Sequence, residues 1–352
     1  MPYWRHGLAS AVIHRFYACH PDLSLTDETS SMTTSLSRHG WPKQGTRLQR
    51  ITRDGQHIAF TLAGVTAGIP IVVLHGGPGS GSQASALRLF DLTRFRLVLV
   101  DQRGAGMSTP GGGLRHNRTD RLIDDLEAIR TGLGIERWGV LGGSWGAALA
   151  LAYAGLHPSV VTGVVIRGLF LTSKRELRRL FTTSRVRAPG AWQALYAAAQ
   201  CRQSSTLLAS CARALQAGVA ISRQRVVALA WRAFENAVLA SANSRHMQSP
   251  IMRPGRTDRQ LIGKYQIQAH YLTHACWLGE SRLLSLARRA ADAGVPLFAV
   301  HGTRDPVCPP DNLHRLAHAV PTAHVAFVRA GHLASEPALG LRVAQAIEMI
   351  FC

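Results

Sequence analysis

Three residues far apart in this 352-residue chain have types and settings suited to chemistry: Ser144, Asp305 and His332. Ser144 lies in Gly142-Gly143-Ser144-Trp145-Gly146, between an apolar run at 139–141 and a run rich in Ala and Leu. Strand, sharp turn and helix are the expected elements. The serine sits at the apex, and glycines at 142 and 146 let strand and helix approach closely. Its hydroxyl then meets a helix N-terminus, where free N–H groups and the dipole favour developing negative charge. A Gly-rich turn of a nucleotide-binding unit would look similar, so the remaining chain must decide. Asp305 follows the apolar run 296–301, and His332 follows the run 324–328. A carboxylate that orients an imidazole, which in turn takes a proton from a serine, makes a nucleophilic acyl-transfer apparatus. Asp311 and Glu336 are rival acids, but Asp305 directly follows its strand and is preferred.

The elements that must position these groups alternate between strand and helix. Runs at 48–51 and 58–62 read as strands joined at Asp54-Gly55, a hairpin signal. The run 69–74 reads as a strand buried on both faces. It ends in His75-Gly76-Gly77-Pro78-Gly79-Ser80-Gly81, which lacks the Gly-Lys-Ser/Thr ending of a phosphate loop. Beside a nucleophilic serine such a loop supplies an oxyanion-hole N–H. Pro78 has none, so Gly77 is the expected donor, with Gly76 as the alternative and Trp145 as the second donor. A strand at 97–100 ends in Asp101-Gln102-Arg103, where Asp101 and Arg103 read as a buried ion pair fixing the loop. A helix is expected at 117–132, strands at 161–166, 296–301 and 324–328, and a last helix at 337–351. Residues 171–290 break the alternation and read as several helices, placed to cover the serine. The order Ser, Asp, His matches the α/β-hydrolases. The expected fold is therefore a mostly parallel sheet flanked by helices, with core segments 46–171 and 291–352 and an inserted all-helical cap at 172–290. Residues 1–45, mostly Ser and Thr between 24 and 37, are expected to form a mobile arm.

Composition narrows the function further. Hydrophobic residues make up 46% and charged residues 17%, which is neither a disordered nor a coiled-coil composition. No window approaches the ~18 apolar residues of a membrane-spanning helix. The net charge of +20 comes almost wholly from arginine, the lysines being Lys43, Lys174 and Lys264. These arginines are spread along the chain without a nucleic-acid signature, so a solvated surface is expected rather than nucleic-acid binding. The six cysteines show no metal or disulfide spacing and read as reduced thiols of a cytoplasmic enzyme, with a Cys201–Cys211 pair left open. His314 and His318 lie one helical turn apart but lack the glutamate of a zinc-protease motif, so surface histidines are expected and no metal or cofactor.

Taken together, His75-Gly-Gly-Pro-Gly79, Asp101-Gln-Arg-Gly-Ala-Gly-Met-Ser-Thr-Pro110, Gly142-Gly-Ser-Trp-Gly146 and Arg167-Gly-Leu-Phe170 resemble the prolyl aminopeptidases, over roughly residues 48–350. The segments Asp305-to-Pro309 and Gly331-His332 are similar as well. The resemblance implies removal of an N-terminal proline from a small peptide with a free amino terminus, through Ser144, His332 and Asp305 and without metal or cofactor. It also implies that Phe170 and Cys308 line the prolyl pocket. Glu235, within Trp231-Arg-Ala-Phe-Glu235, corresponds to the carboxylate that anchors the substrate amine. A second family glutamate is replaced by Gln268 in Ile267-Gln-Ala-His-Tyr271. The aromatic cluster of the first cap helix is replaced by Arg178-Arg179-Leu180. Both departures leave open an esterase or amidase acting on a substrate without a free amine, and a non-catalytic binding protein remains as the third reading.

Overall fold

The Asp54-Gly55 pair adopts φ values of 51° and 72°, the two left-handed conformations a tight hairpin turn of matching twist needs. It joins β1 (Thr46–Arg53) to β2 (Gln56–Gly64) in antiparallel register, with Arg53 opposite Gln56. The structure is a computed structural model and describes residues 45–242 and 258–352; the expected arm, apart from Gly45, lies outside them. Six further strands complete the sheet: β3 (Ile69–Leu74), β4 (Phe95–Val100), β5 (Trp138–Gly143), β6 (Val161–Arg167), β7 (Leu297–Gly302) and β8 (His324–Val328). Their order is β1-β2-β4-β3-β5-β6-β7-β8, antiparallel through β4 and parallel from β4 to β8. This is the α/β-hydrolase architecture that the strand–helix alternation foretold.

Strands β5 and β7 are buried at every residue, because helices cover both faces of the parallel part. The chain runs from β3 outward to β4, then returns to the other side of β3 as β5. At such a reversal the loops after two neighbouring parallel strands splay apart and open a crevice at their carboxyl ends. The glycine loop after β3 and Ser144 after β5 are the two sides of that crevice.

Helix α1 (Thr119–Gly132) buries Leu122, Ile123, Leu126 and Ile129 on one face. It starts two residues later than the expected helix because the Asn117 side chain bonds the carbonyls of Arg103 and Gly113 instead. Helix α2 (Trp145–Leu156) is different in kind: every residue from Trp145 to Gly155 is buried. A helix apolar on every face is a buried one, which accords with its Ala and Leu content, and its two large rings, Trp145 and Tyr153, are fully buried too.

Between β6 and β7 the described chain is helical: α3 (Lys174–Phe181), α4 (Pro189–Ala198), α5 (Leu207–Ala214), α6 (Ile221–Ala240), α7 (Asp258–Thr273) and α8 (Glu280–Asp292). Helix α8 packs on α2, where Gly155 lies so close that a Cβ would stand 2.3 Å from the Leu286 carbonyl oxygen. Helix α7 lies over the crevice loops: a Cβ on Gly79 would meet the Lys264 carbonyl oxygen at 2.8 Å, and one on Gly112 would meet Gly263 Cα at 2.7 Å. Helix α9 (Asp311–Ala319) packs beside β8 and α8, and the last helix, α10 (Pro337–Phe351), packs mainly on β6 and β7.

Candidate active site

The turn from β5 into α2 carries Ser144 at φ 58° and ψ −119°, a conformation that costs roughly 1–3 kcal/mol outside glycine. The surroundings enforce it. A Cβ on Gly142 would lie 2.2 Å from the Gly146 carbonyl oxygen, and one on Gly146 would lie 2.2 Å from that of Leu74. Both glycines are therefore required by close approach of strand and helix. The Ser144 N–H donates to the Arg167 carbonyl at 3.0 Å, tying the apex to the end of β6.

His332 and Asp305 come from the ends of β8 and β7. The His332 ring is bonded through Nδ1 to Asp305 Oδ2 at 2.6 Å, and both residues are buried. With its proton on Nδ1, the ring keeps the Nε2 lone pair as a base. Burial pushes the Asp305 carboxyl up, but His332, then His301 and the Cys308 N–H, outweigh it and hold the group below its usual range. The Arg167 guanidinium donates to the His332 carbonyl at 3.0 Å and stands against Gly143 beside Ser144. A Cβ on Gly168 would lie 3.1 Å from His332 Cε1. Burial, then Asp305, pushes the Cys308 thiol well above its usual range, outweighing the opposite pull of Ser144 and Arg167. Cys308 therefore stays protonated and is no rival nucleophile.

Asp305, Cys308 and His332 form the one grouping among the described residues with metal-ligand spacing, within 4.8 Å. Its donor atoms are already engaged: Asp305 Oδ2 by His332, and Oδ1 by the N–H groups of Val307 and Cys308 at 2.9 Å. The arrangement is a hydrogen-bonded relay. His314 instead packs on Phe327, with ring centroids 4.7 Å apart.

Gly76 faces Ser144, a Cβ there lying 3.2 Å from Ser144 Cβ. Gly77 follows at φ 116°. Trp145, the first residue of α2, has an N–H without an intrahelical acceptor. Gln102 couples these loops, a role the sequence did not reveal. Its backbone N–H donates to His75 Nε2 at 3.1 Å, its side-chain NH₂ to the His75 carbonyl at 2.9 Å, and its side-chain oxygen accepts from the Trp145 indole at 2.8 Å. Since His75 Nε2 accepts, Nδ1 carries the proton and donates to the Gly76 carbonyl at 2.8 Å. His301 was likewise read only as the end of a strand. It is fully buried, 3.5 Å from Asp305 Oδ2, and donates to the Cys308 carbonyl at 3.1 Å. The His-Gly-x-x-Asp run was the available signal.

Asp101 and Arg103 are not paired with each other. Both side chains are buried, yet Asp101 accepts the N–H groups of Ser82 at 2.6 Å and Met107 at 2.8 Å. Arg103 grips Asp125 with two bonds of 2.6 and 2.7 Å and reaches Asp54 at 2.9 Å. The strand ends at Val100 and the chain turns at Arg103, so the two side chains no longer share a face as they would in a strand, and each meets a different partner. The five described cysteines are free, Cys201 and Cys211 included.

In the helical segment, Phe170 is half-buried beyond Gly168, on a loop held by Glu176. That buried carboxylate accepts the N–H groups of Leu171 at 3.0 Å and Ser173 at 2.9 Å. Glu235 on α6 meets three donors from α7: Lys264 Nζ at 2.9 Å, the Tyr265 hydroxyl at 2.8 Å and Gln268 Nε2 at 2.5 Å. Gln268 is buried, and its Oε1 has no partner. The structure thus brings Ser144, His332, Asp305, Cys308, Gly76 and Trp145 around the crevice, and gathers Glu235 and Gln268 in one cluster.

Residues 69–338 match the α/β hydrolase fold family. The chain is 36% identical over 287 residues to a proline iminopeptidase of Xylella fastidiosa, spanning 81% of this chain and 90% of that protein. A proline iminopeptidase of Arabidopsis thaliana is 33% identical, over 84% of this chain and 77% of its own length. An esterase structure from Rhodococcus sp. ECU1013 shares the fold at a TM-score of 0.56 and 20% identity, covering 87% of this chain and 98% of that one. Among the described residues no helix is long and apolar enough to cross a membrane.

Proposed function

The chain belongs to the proline iminopeptidases of the α/β-hydrolase fold, and from that premise we propose that it is a serine aminopeptidase releasing N-terminal proline, or another small residue, from peptides. The observation that carries this reading is the buried 2.6 Å His332–Asp305 bond beside a serine held in a left-handed turn. Ser144 Oγ attacks the prolyl carbonyl as His332 Nε2 takes its proton, and Asp305 stabilises the imidazolium. The N–H groups of Trp145 and Gly77 receive the oxyanion; losing one such donor raises the barrier by roughly 2.7–4 kcal/mol. His332 then protonates the leaving amine, and water releases the acyl group from Ser144. Phe170 and Cys308 line the pocket for the pyrrolidine ring, and Glu235 and Gln268 stand where the substrate nitrogen is recognised. Segments 46–171 and 291–352 form the catalytic core and 172–290 its lid. The five free thiols support a cytoplasmic setting.

A second reading, an esterase or amidase acting on a substrate without a free amino terminus, is favoured by one observation: Lys264 already occupies Glu235. Hydrolysis of proline p-nitroanilide and its N-acetyl form decides between them, with Ser144→Ala as the blank. Cleavage of the free form that falls about 10⁴-fold or more in Ser144→Ala supports the aminopeptidase. Cleavage of the blocked form alone moves the chain to the second reading.

A further inference from the structure

An exopeptidase that holds a protonated amine out of water needs a carboxylate or carbonyls to receive it. The segment 172–290 contains four carboxylates in all: Glu176, Glu235, Asp258 and Glu280. Glu176 is spent on the Leu171 and Ser173 N–H groups and on Asn312. Asp258 pairs with Arg225 at 2.7 Å on an exposed face, and Glu280 pairs with Arg315 of α9. Glu235 alone is held against α7, the helix whose backbone lies on Gly79 and whose Tyr271 ring packs 5.1 Å from the ring of Trp145, next to Ser144. Yet Glu235 already carries an ammonium. Lys264 Nζ stands 2.9 Å from Oε2, with both side chains mostly buried at 14% and 21% exposure. The same ammonium lies 4.5 Å above the Tyr265 ring. That ring in turn packs on Trp231, one turn before Glu235.

Resting on the aminopeptidase reading, we infer that Lys264 is a specificity-determining residue: its ammonium takes the place on Glu235 that a substrate's protonated N-terminus would fill. The cluster therefore has no net charge. A second cation must either displace Lys264 from a charge-assisted bond or stand beside a like charge. The acceptor left over is Gln268 Oε1, a neutral carbonyl oxygen buried without a partner. It gives a charged nitrogen little advantage over an uncharged N–H. The substrate class widens accordingly, from free amino termini to prolyl and small acyl groups whose nitrogen is neutral or blocked.

The test uses p-nitrophenyl acetate turnover as the readout and two competitors that lack an acyl bond at the prolyl carbon: L-prolinol, protonated at pH 7, and N-acetyl-L-prolinol. Inhibition constants are measured for the full chain, Lys264→Met and Lys264→Arg, each against its own ester turnover. The expected result is constants within about threefold of each other for the unaltered chain and for Lys264→Arg. In Lys264→Met, prolinol should bind about tenfold more tightly, about 1.4 kcal/mol, with the N-acetyl compound unmoved. Because Lys264→Arg keeps the charge and changes the shape, a merely structural role for Lys264 would show there too. Prolinol binding that is equal in all three proteins, or already more than tenfold favoured in the unaltered chain, overturns the inference and leaves the aminopeptidase standing. Ester turnover that neither compound inhibits in any of the three overturns the prolyl reading and the inference with it.

Discussion

The crevice at the carboxyl ends of the strands and the cluster between α6 and α7 are built on opposite principles. In the crevice, backbone proximity sets the geometry: a single methyl group at Gly142 or Gly146 would collide with a carbonyl oxygen 2.2 Å away, and one at Gly76 or Gly168 would press on Ser144 or His332. The polar atoms of Asp305 and Asp101 there have partners at hydrogen-bond distance. In the helical cluster, long side chains set the geometry, and the Trp231 indole N–H and Gln268 Oε1 are left buried without partners. A buried polar group without a partner costs roughly 1–3 kcal/mol. The first region is fixed by its backbone, whereas the second rests on side chains that a few substitutions can retune.

The sharpest way to break this contrast is to add one methyl to the crevice and one to an open site in the helical segment. Gly146→Ala places a Cβ 2.2 Å from the Leu74 carbonyl oxygen and should destabilise the protein by about 3 kcal/mol or more, with activity falling in step; a denaturant midpoint within error of the parent would refute it. At the other extreme, Gly190, near the start of α4, has open space around its Cα. Gly190→Ala should stabilise by about 0.5 kcal/mol, seen as a slightly raised midpoint. Between these lies Gln102→Leu, which cuts the link from the Trp145 indole to the His75 carbonyl. Loosening the oxyanion loop should lower kcat tenfold to a hundredfold, with KM moving less. A change confined to KM would place Gln102 outside the catalytic frame.

Acid sharpens the contrast further. Burial lowers the pKa of His301, and burial followed by His274 lowers that of His270. Each therefore binds its proton more weakly folded than unfolded. The stability each contributes is present above the ordinary histidine value of 6.5, and is lost as pH falls from there toward the folded value. The loss can reach about 1.4 kcal/mol per pH unit for one fully buried group. The lowered Asp305 carboxyl has the same sign but a more acid window, below the ordinary carboxylate range. Thermal melts at pH 7.5 and 5.5 should flatten most in His301→Gln, whose ring is fully buried, and less in His270→Gln, whose ring is half-buried. Equal flattening would erase the difference between the regions.

How much of this was legible depended on whether a residue's setting along the chain, such as a turn or the end of a strand, already marked its place. The hairpin at Asp54-Gly55 and the serine turn are local patterns with local causes, Asp305 and His332 are each marked by the strand they follow, and all stand in the structure where the residues foretold them. The partners of Arg103 were not legible. Its guanidinium reaches Asp125, 22 residues away, and nothing in Asp101-Gln-Arg marks that choice over its near neighbour. The Lys264–Glu235 contact spans 29 residues and two helices. Helical periodicity says which face a lysine occupies but not which carboxylate crosses to meet it. Gln102 was hidden for a further reason: its work is done by both its backbone and its side chain at once.

Helix α2 has a last consequence. Enclosed on all sides from Trp145 to Gly155, its amide hydrogens beyond the first turn should trade with deuterium only when the whole domain opens. Ser144, at the entrance of this helix, therefore has no private melting event. Heat or denaturant should extinguish turnover and the slowest-exchanging amides along a single curve, so a simple ester assay would serve as a thermometer for the entire fold.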